Sequence, residues 1–198
     1  MNSPFLLGLT GSIGMGKSTT AKMFAEAGLE VWDADAAVHR MYGSGGAAVE
    51  PIREICPSAI IGGAVSRDVL KSWIAQDPTA LTKIEKVVHP LVAEDRLGFV
   101  QNAKSDIVVL DIPLLYETGG DTHVDAVAVV SAPAKLQRER VLARPGMTVE
   151  QFESILAKQT PDEEKRQRAD FIIPSETIEG ARAKVGQIIA DIRNSLNA

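Results

Sequence analysis

Apolar positions along this chain fall into short continuous runs and longer helical spacings, and their alternation predicts the order of elements. Phe5 to Leu9 is a continuous run that passes directly into a glycine-rich segment, Gly11 to Gly16, and helical spacing follows from Ser18 to Ala27. Gly28 stands where a helix C-terminus takes a left-handed residue. Glu30 to Trp32 predicts a second strand ending at Asp33, so one strand, helix, strand unit closes within about thirty residues, as a parallel crossover should. Ile107 to Leu110, ending at Asp111, and Ala126 to Val130 are continuous apolar runs, the pattern of strands covered on both faces. Phe171 to Ile173 predicts a fifth strand and Ile178 to Leu196 a closing helix. The expected class is α/β, three layers with a five-stranded parallel sheet in the middle.

Between the second and third strands lie about seventy residues that read as mainly helical, far more than one crossover needs. Residues 36–103 are therefore expected to form a helical insertion for a substrate. The stretch from Lys135 to Ala169 is also helical but highly charged, and Pro145-Gly146 and Thr160-Pro161 interrupt it, which suits a mobile lid over residues 135–169. The remaining residues, 1–35, 104–134 and 170–198, make up the expected core. The alternative is that both regions merely complete the fold.

Gly11-Ser12-Ile13-Gly14-Met15-Gly16-Lys17-Ser18 fits the pattern of a glycine, four residues, then Gly-Lys-Ser/Thr, in the strand-to-helix setting that a phosphate-binding P-loop requires. Glycines let the backbone curl around phosphate oxygens with its N–H groups inward, and the helix start adds the positive end of its dipole. Lys17 is expected to reach the β- and γ-phosphates of ATP, and Ser18 to offer its hydroxyl to Mg²⁺. Thr19 packs or caps beside the nucleotide.

The chain has 198 residues, 45% of them hydrophobic, enough for a substantial core. Its 21 basic and 26 acidic residues give a net charge of -5, against the basic footprint of nucleic-acid binding. Any anion must therefore be bound locally. Cys56 is the only cysteine, which excludes an internal disulfide and fits a reduced cytoplasm. The opening MNSPFLLGLTGS lacks a basic stretch followed by a long apolar segment, and no run reaches membrane-spanning length, so a soluble protein is expected.

A P-loop alone does not choose among nucleotide-binding classes. The nearest approach to a guanine-recognition motif, Ala103-Lys104-Ser105-Asp106, lacks its Asn and precedes a strand. The strand ending at Asp111 runs into Ile112-Pro113 and offers no hydrolytic glutamate. The second strand instead ends in Asp33-Ala34-Asp35, two carboxylates at the sheet edge where open α/β sheets bind ligands. Residues two apart in an extended segment share a face, so one carboxylate can serve Mg²⁺ while the other takes the proton of an acceptor hydroxyl. Alternatively, Asp35 simply caps a helix beginning near Ala36.

The chain resembles the dephospho-CoA kinases. The resemblance is carried by Gly8-Leu9-Thr10 with the P-loop through Thr19, Asp33-Ala34-Asp35, Val88-His89-Pro90-Leu91, the segment Asp111 to Glu117, Glu164-Lys165-Arg166, and Arg168 to Phe171. It implies a P-loop NTPase fold and ATP-dependent phosphorylation of the ribose 3′-hydroxyl of dephospho-CoA, the last step of coenzyme A synthesis. It also implies Asp35 as catalytic base and Asp33 as its metal-side partner. His89 is placed near the CoA moiety, although a His before Pro also fits a helix kink. Pro113, Leu114, Leu115 and Glu117 are implied to line the acceptor pocket, with Leu114 and Leu115 otherwise core. Among Arg138, Arg140 and Arg144 of the lid, Arg140 is implied in catalysis and Arg144 in nucleotide binding. Ser12, Met15, Pro145 and Pro174-Ser175 depart from the commoner family pattern, and the last pair bears on the adenine side. A monomer or weak homo-oligomer is expected. The competing readings are another small-molecule kinase on this fold and a nucleotide-gated regulator without transfer chemistry.

Overall fold

The computed structural model describes residues 3–198; the first two residues of the opening segment read for a targeting signal lie outside them. In chain order the elements are β1 (Phe5–Thr10), α1 (Lys17–Glu26), β2 (Glu30–Asp33), α2 (Ala34–Tyr42), α3 (Val49–Ile55), β3 (Ile60–Ile61), β4 (Ala64–Val65), α4 (Arg67–Gln76), α5 (Ala80–Asn102), β5 (Ile107–Asp111), β6 (Ala126–Ser131), α6 (Ala134–Leu142), α7 (Val149–Leu156), α8 (Asp162–Arg168), β7 (Phe171–Pro174) and α9 (Ile178–Leu196). The chain divides into two compact units: the residues up to Trp32 with Ala103–Ala198, and Asp33–Asn102. No helix among the described residues is long and apolar enough to cross a membrane.

The first unit is built on a five-stranded parallel sheet of order β2-β5-β1-β6-β7. Leu7 is registered with Val109 on one side and Ala126 on the other, and Val129 with Ile172. Successive strand residues face opposite sides, and β6 shows why its run reads as continuously apolar. Ala126, Ala128 and Val130 join Leu7, Leu9, Phe24, Ile173 and Ile188 in a core that includes residues of α1 and α9, while Val127 and Val129 pack on the other face with Leu115 and Tyr116. Acidic side chains pin the strand starts: Asp125 Oδ2 accepts from Leu6 N–H (2.7 Å), and Asp170 Oδ2 from Val127 N–H (2.8 Å). The five expected strands are all present. Gly28, at φ 88°, lies just past α1, where its N–H bonds Ala25 O and that of Leu29 bonds Phe24 O, the double closure of a Schellman end.

The second unit is mainly helical, with Met41, Ile52, Leu70, Ile84 and Val88 buried. The sequence reading missed its hairpin, in which β3 and β4 pair antiparallel around Gly62-Gly63, both at positive φ. A Gly-Gly turn between apolar pairs is itself a hairpin signal, but two-residue strands are too short to show alternation. Pro90 lies inside α5, which runs through the proline instead of ending at it.

The structure corrects the geometry expected of the aspartate pair. Helix α2 begins at Ala34, and Asp33 is its cap, with Oδ1 accepting Ala36 N–H at 2.9 Å. Asp35 lies in the first helical turn, so the two residues do not share a face of an extended segment. The capping role considered for Asp35 belongs to Asp33.

Candidate active site

β1 delivers the chain into the P-loop at the C-terminal edge of the sheet, where Thr10 Oγ1 donates to Pro113 O (3.1 Å). Gly14 and Gly16 have φ of 79° and 90°, which an L side chain rarely adopts, and a Cβ at Gly14 would also collide with the Val141 side chain. Gly16 caps α1 with no side-chain hydrogen bond, so the first-turn N–H groups of α1 have no side-chain cap competing with an anion. Gly11, Ser12, Gly14 and Met15 are buried, and Ser18 and Thr19 are exposed. The departure at position 15 therefore fills the core, where Met15 Sδ takes the Ala132 N–H at 3.1 Å, and that at position 12 is a buried polar residue.

Lys17 Nζ forms an ion pair with Asp111 Oδ1 at the end of β5, with Asp111 3% and Lys17 15% exposed. In the sequence Asp111 was noted as the end of a strand and the start of a segment carrying the resemblance, but with no role assigned to it. An apolar strand closing on an acid one edge over from the P-loop was the signal that marked it.

A cleft of about 290 Å³ opens beside the loop, lined by Gly14, Gly16, Thr19, Arg140, Arg144 and Ser175 among others. Arg140 donates to Ser175 Oγ (3.1 Å) and Ser175 O (2.7 Å), and Ser175 Oγ in turn donates to Met15 O (2.6 Å). The unusual Pro174-Ser175 pair thus ties arginine and P-loop together. Arg138 turns instead to α7, 3.7 Å from Glu153 and over the Phe152 ring.

After β5, Leu114 is exposed, whereas Leu115 is wholly buried in the core, which corrects its assignment to a pocket wall. Glu117 is likewise not presented as a free polar contact. Its Oε1 takes Thr160 N–H at 2.7 Å and lies 2.9 Å from Lys165 Nζ, an ion pair rather than an aligned hydrogen bond. Burial works against the Glu117 charge, but the Lys165 ammonium and neighbouring N–H donors outweigh it and hold the carboxyl below its ordinary value. Burial pushes the Tyr116 phenol up to about 12, against the opposing pull of Arg168, whose guanidinium stacks 4.2 Å from the ring. In the second unit, Asp33, Asp35 and His89 are all exposed.

Two polar residues of this region, Gln137 and Gln159, went unread in the sequence, and Lys165 entered only as part of the resemblance, with its burial unforeseen. Gln137 Nε2 donates to Ile13 O (2.8 Å), Gln159 Oε1 accepts Ile13 N–H (3.0 Å), and Lys165 is fully buried. Nothing in their local sequence separates them from solvated helix residues.

The model of the dephospho-CoA kinase family matches residues 5–179. The chain belongs to that family. A dephospho-CoA kinase of Cereibacter sphaeroides is 60% identical over 98% of this chain and 99% of its own length. A crystal structure from Thermus thermophilus superposes with a TM-score of 0.86 at 30% identity, covering 96% of this chain and 98% of that one. The dephospho-CoA kinase of Campylobacter jejuni, at 21% identity and TM-score 0.66 over 96% of this chain and 98% of its own, shares the fold.

Proposed function

We propose that this dephospho-CoA kinase family member transfers the γ-phosphoryl group of ATP to the ribose 3′-hydroxyl of dephospho-CoA, with Lys17 and the P-loop amides holding the triphosphate. The observation that carries this reading is the Lys17 ammonium standing at the uncapped start of α1, neutralised by the buried Asp111 carboxylate. A triphosphate supplies oxygens that compete with Asp111 for that ammonium, so the lysine is already desolvated and oriented when it exchanges partners. Backbone N–H groups of Gly14, Gly16, Lys17 and Ser18 then cradle the phosphates, while those of Ile13, Met15 and Thr19 are taken within the protein.

Mg²⁺ fits the groups present. It takes oxygen ligands, keeps several waters and needs only one or two protein groups; the exposed Ser18 hydroxyl and the Asp111 carboxylate would be those groups. When bound, the ion neutralises phosphate charge. Asp33 Oδ1 is committed to the α2 cap, so Oδ2 is the oxygen it would offer toward the ion.

Asp35 follows β2 by two residues, at the carboxyl edge of the strands, and is exposed; we assign it the acceptor proton. Arg140 and Arg144 line the cleft beside the P-loop and neutralise the transferring group as residues 135–169 close as a lid. Residues 36–103, with His89, receive the CoA moiety, and Pro113 and Leu114 border the acceptor. The closing test is incubation with Mg-ATP and dephospho-CoA. ADP and product phosphorylated at the ribose 3′ position are expected; transfer to a different hydroxyl acceptor, with dephospho-CoA inert, overturns the assignment.

A further inference from the structure

Both polar groups of one P-loop residue are taken by glutamines from the segment expected as a lid. Ile13 N–H donates to Gln159 Oε1 at 3.0 Å, in the connection between α7 and α8, and Ile13 O accepts from Gln137 Nε2 at 2.8 Å, on α6. Gln137 is itself only 6% exposed, so its amide is committed to this contact instead of to water.

A trans peptide is planar, with its C=O and N–H pointing opposite ways. Fixing Ile13 O toward α6 therefore turns the N–H of Gly14 away from α6, to the other side of the loop. The preceding peptide is held at both ends: Ser12 O accepts Met15 N–H at 3.1 Å, and Ile13 N–H goes to Gln159. The anchorage of Gln159 is also specified, because the N–H of the next residue, Thr160, donates to Glu117 Oε1 at 2.7 Å, beside the buried Lys165. Glycine at position 14 has the backbone freedom to flip, and these side chains oppose it.

We propose that Gln137 and Gln159 are positioning residues that lock the Ser12–Ile13 and Ile13–Gly14 peptides, so that the Gly14 N–H faces the transferring phosphoryl group. The inference rests on the kinase reading above. Steady-state transfer from Mg-ATP to dephospho-CoA is measured for wild type, Gln137→Met, Gln159→Met and the double variant, together with thermal unfolding. Wild type comes first: absence of product there refutes the kinase reading itself. With wild type active, each single variant is expected to lose about tenfold in kcat, the weight of one hydrogen bond. The KM for dephospho-CoA should stay within about twofold, since these residues do not touch the acceptor. The double variant should be no more than about twofold worse than the weaker single, because both side chains hold adjoining peptides. Unchanged kcat in both singles, independent multiplying losses, or a kcat loss accompanied by a matching rise in KM overturns the proposal. If Gln159→Met does not fold, Gln159→Asn, which withdraws the amide oxygen by one methylene, carries the same expectations.

Discussion

In the sheet-bearing unit the groups expected to handle phosphate are held by residues far away in sequence: Lys17 by Asp111, Ile13 by Gln137 and Gln159, Arg140 by Ser175. In the helical unit, Asp33–Asn102, the corresponding groups rest on local structure. Asp33 bonds the amide three residues on, Asp35 lies in the first turn of α2, and His89 is exposed along α5. The difference suits the two partners of the reaction. Phosphate stabilisation gains from dipoles fixed in advance, since they cost no reorganisation at the moment of transfer, whereas a group that receives a large acceptor needs access first.

The largest effect that separates the two regions is expected at Lys17. Lys17→Ala removes a preoriented charge, and the rate of ADP formation with dephospho-CoA should fall about a thousandfold. Far-UV circular dichroism should still report the folded chain. Near-wild-type turnover by the folded variant would mean that the ammonium is not aimed at the phosphates, and the contrast between the regions would collapse.

Next in size is the pair in the helical unit. Asp35→Asn removes a proton acceptor and should lower kcat about a hundredfold, with ATP affinity unchanged by calorimetry. Asp33→Asn keeps a side-chain oxygen for the Ala36 N–H, and Asn caps helices as well as Asp does. Its stability should match wild type, and any kcat loss should be recovered by raising Mg²⁺. Equal, Mg²⁺-insensitive losses in the two variants would show that the residues act as one unit instead of in separate roles.

How much of this could be read beforehand follows the same division. β5 and β6 were legible because both faces of each strand are covered, which leaves a continuous apolar run, and the P-loop because its glycines and lysine have a fixed spacing. Asp33 and Asp35 were found, but their geometry was not: whether Asp33 ends the strand or Asp35 opens the helix depends on a single capping bond, for which both carry the right side chain. The burial of Lys165 was beyond reach. The residue lies in Asp-Glu-Glu-Lys-Arg-Gln-Arg, a segment that reads as fully solvated, yet it is 0% exposed against Glu117. Its burial is set by what crosses from the turn after β5, which no local pattern records.

That buried pair gives the third test. The folded Glu117 carboxyl titrates below its ordinary value, so the folded form binds fewer protons than the unfolded one. The resulting stability is fully present above the ordinary carboxylate range and is lost as pH falls through the depressed value. Glu117→Gln keeps an oxygen for Thr160 N–H but leaves the Lys165 ammonium without its counter-charge, at a cost of about 3 kcal/mol near neutral pH. Urea unfolding from pH 7 down to pH 3 should show the gap between wild type and variant narrowing as the solution becomes acid. A gap that stays constant, or widens toward acid, would show that the pairing of charges is not what stabilises the turn after β5.

The smallest effect tests whether the helical unit really is held together locally. Ser66 caps α4, its Oγ accepting Val69 N–H at 3.4 Å. Removing such a cap leaves one orphan N–H at the helix start, and the long contact puts Ser66→Ala at the low end of capping losses, about 0.5 kcal/mol. Because the bond spans three residues and reaches no other element, the urea midpoint should drop slightly with an unchanged slope, and kcat should equal that of wild type. A loss above about 2 kcal/mol, or a change in kcat, would mean that α4 is coupled to the phosphate-handling groups after all, and that tertiary anchoring is not confined to the sheet-bearing unit.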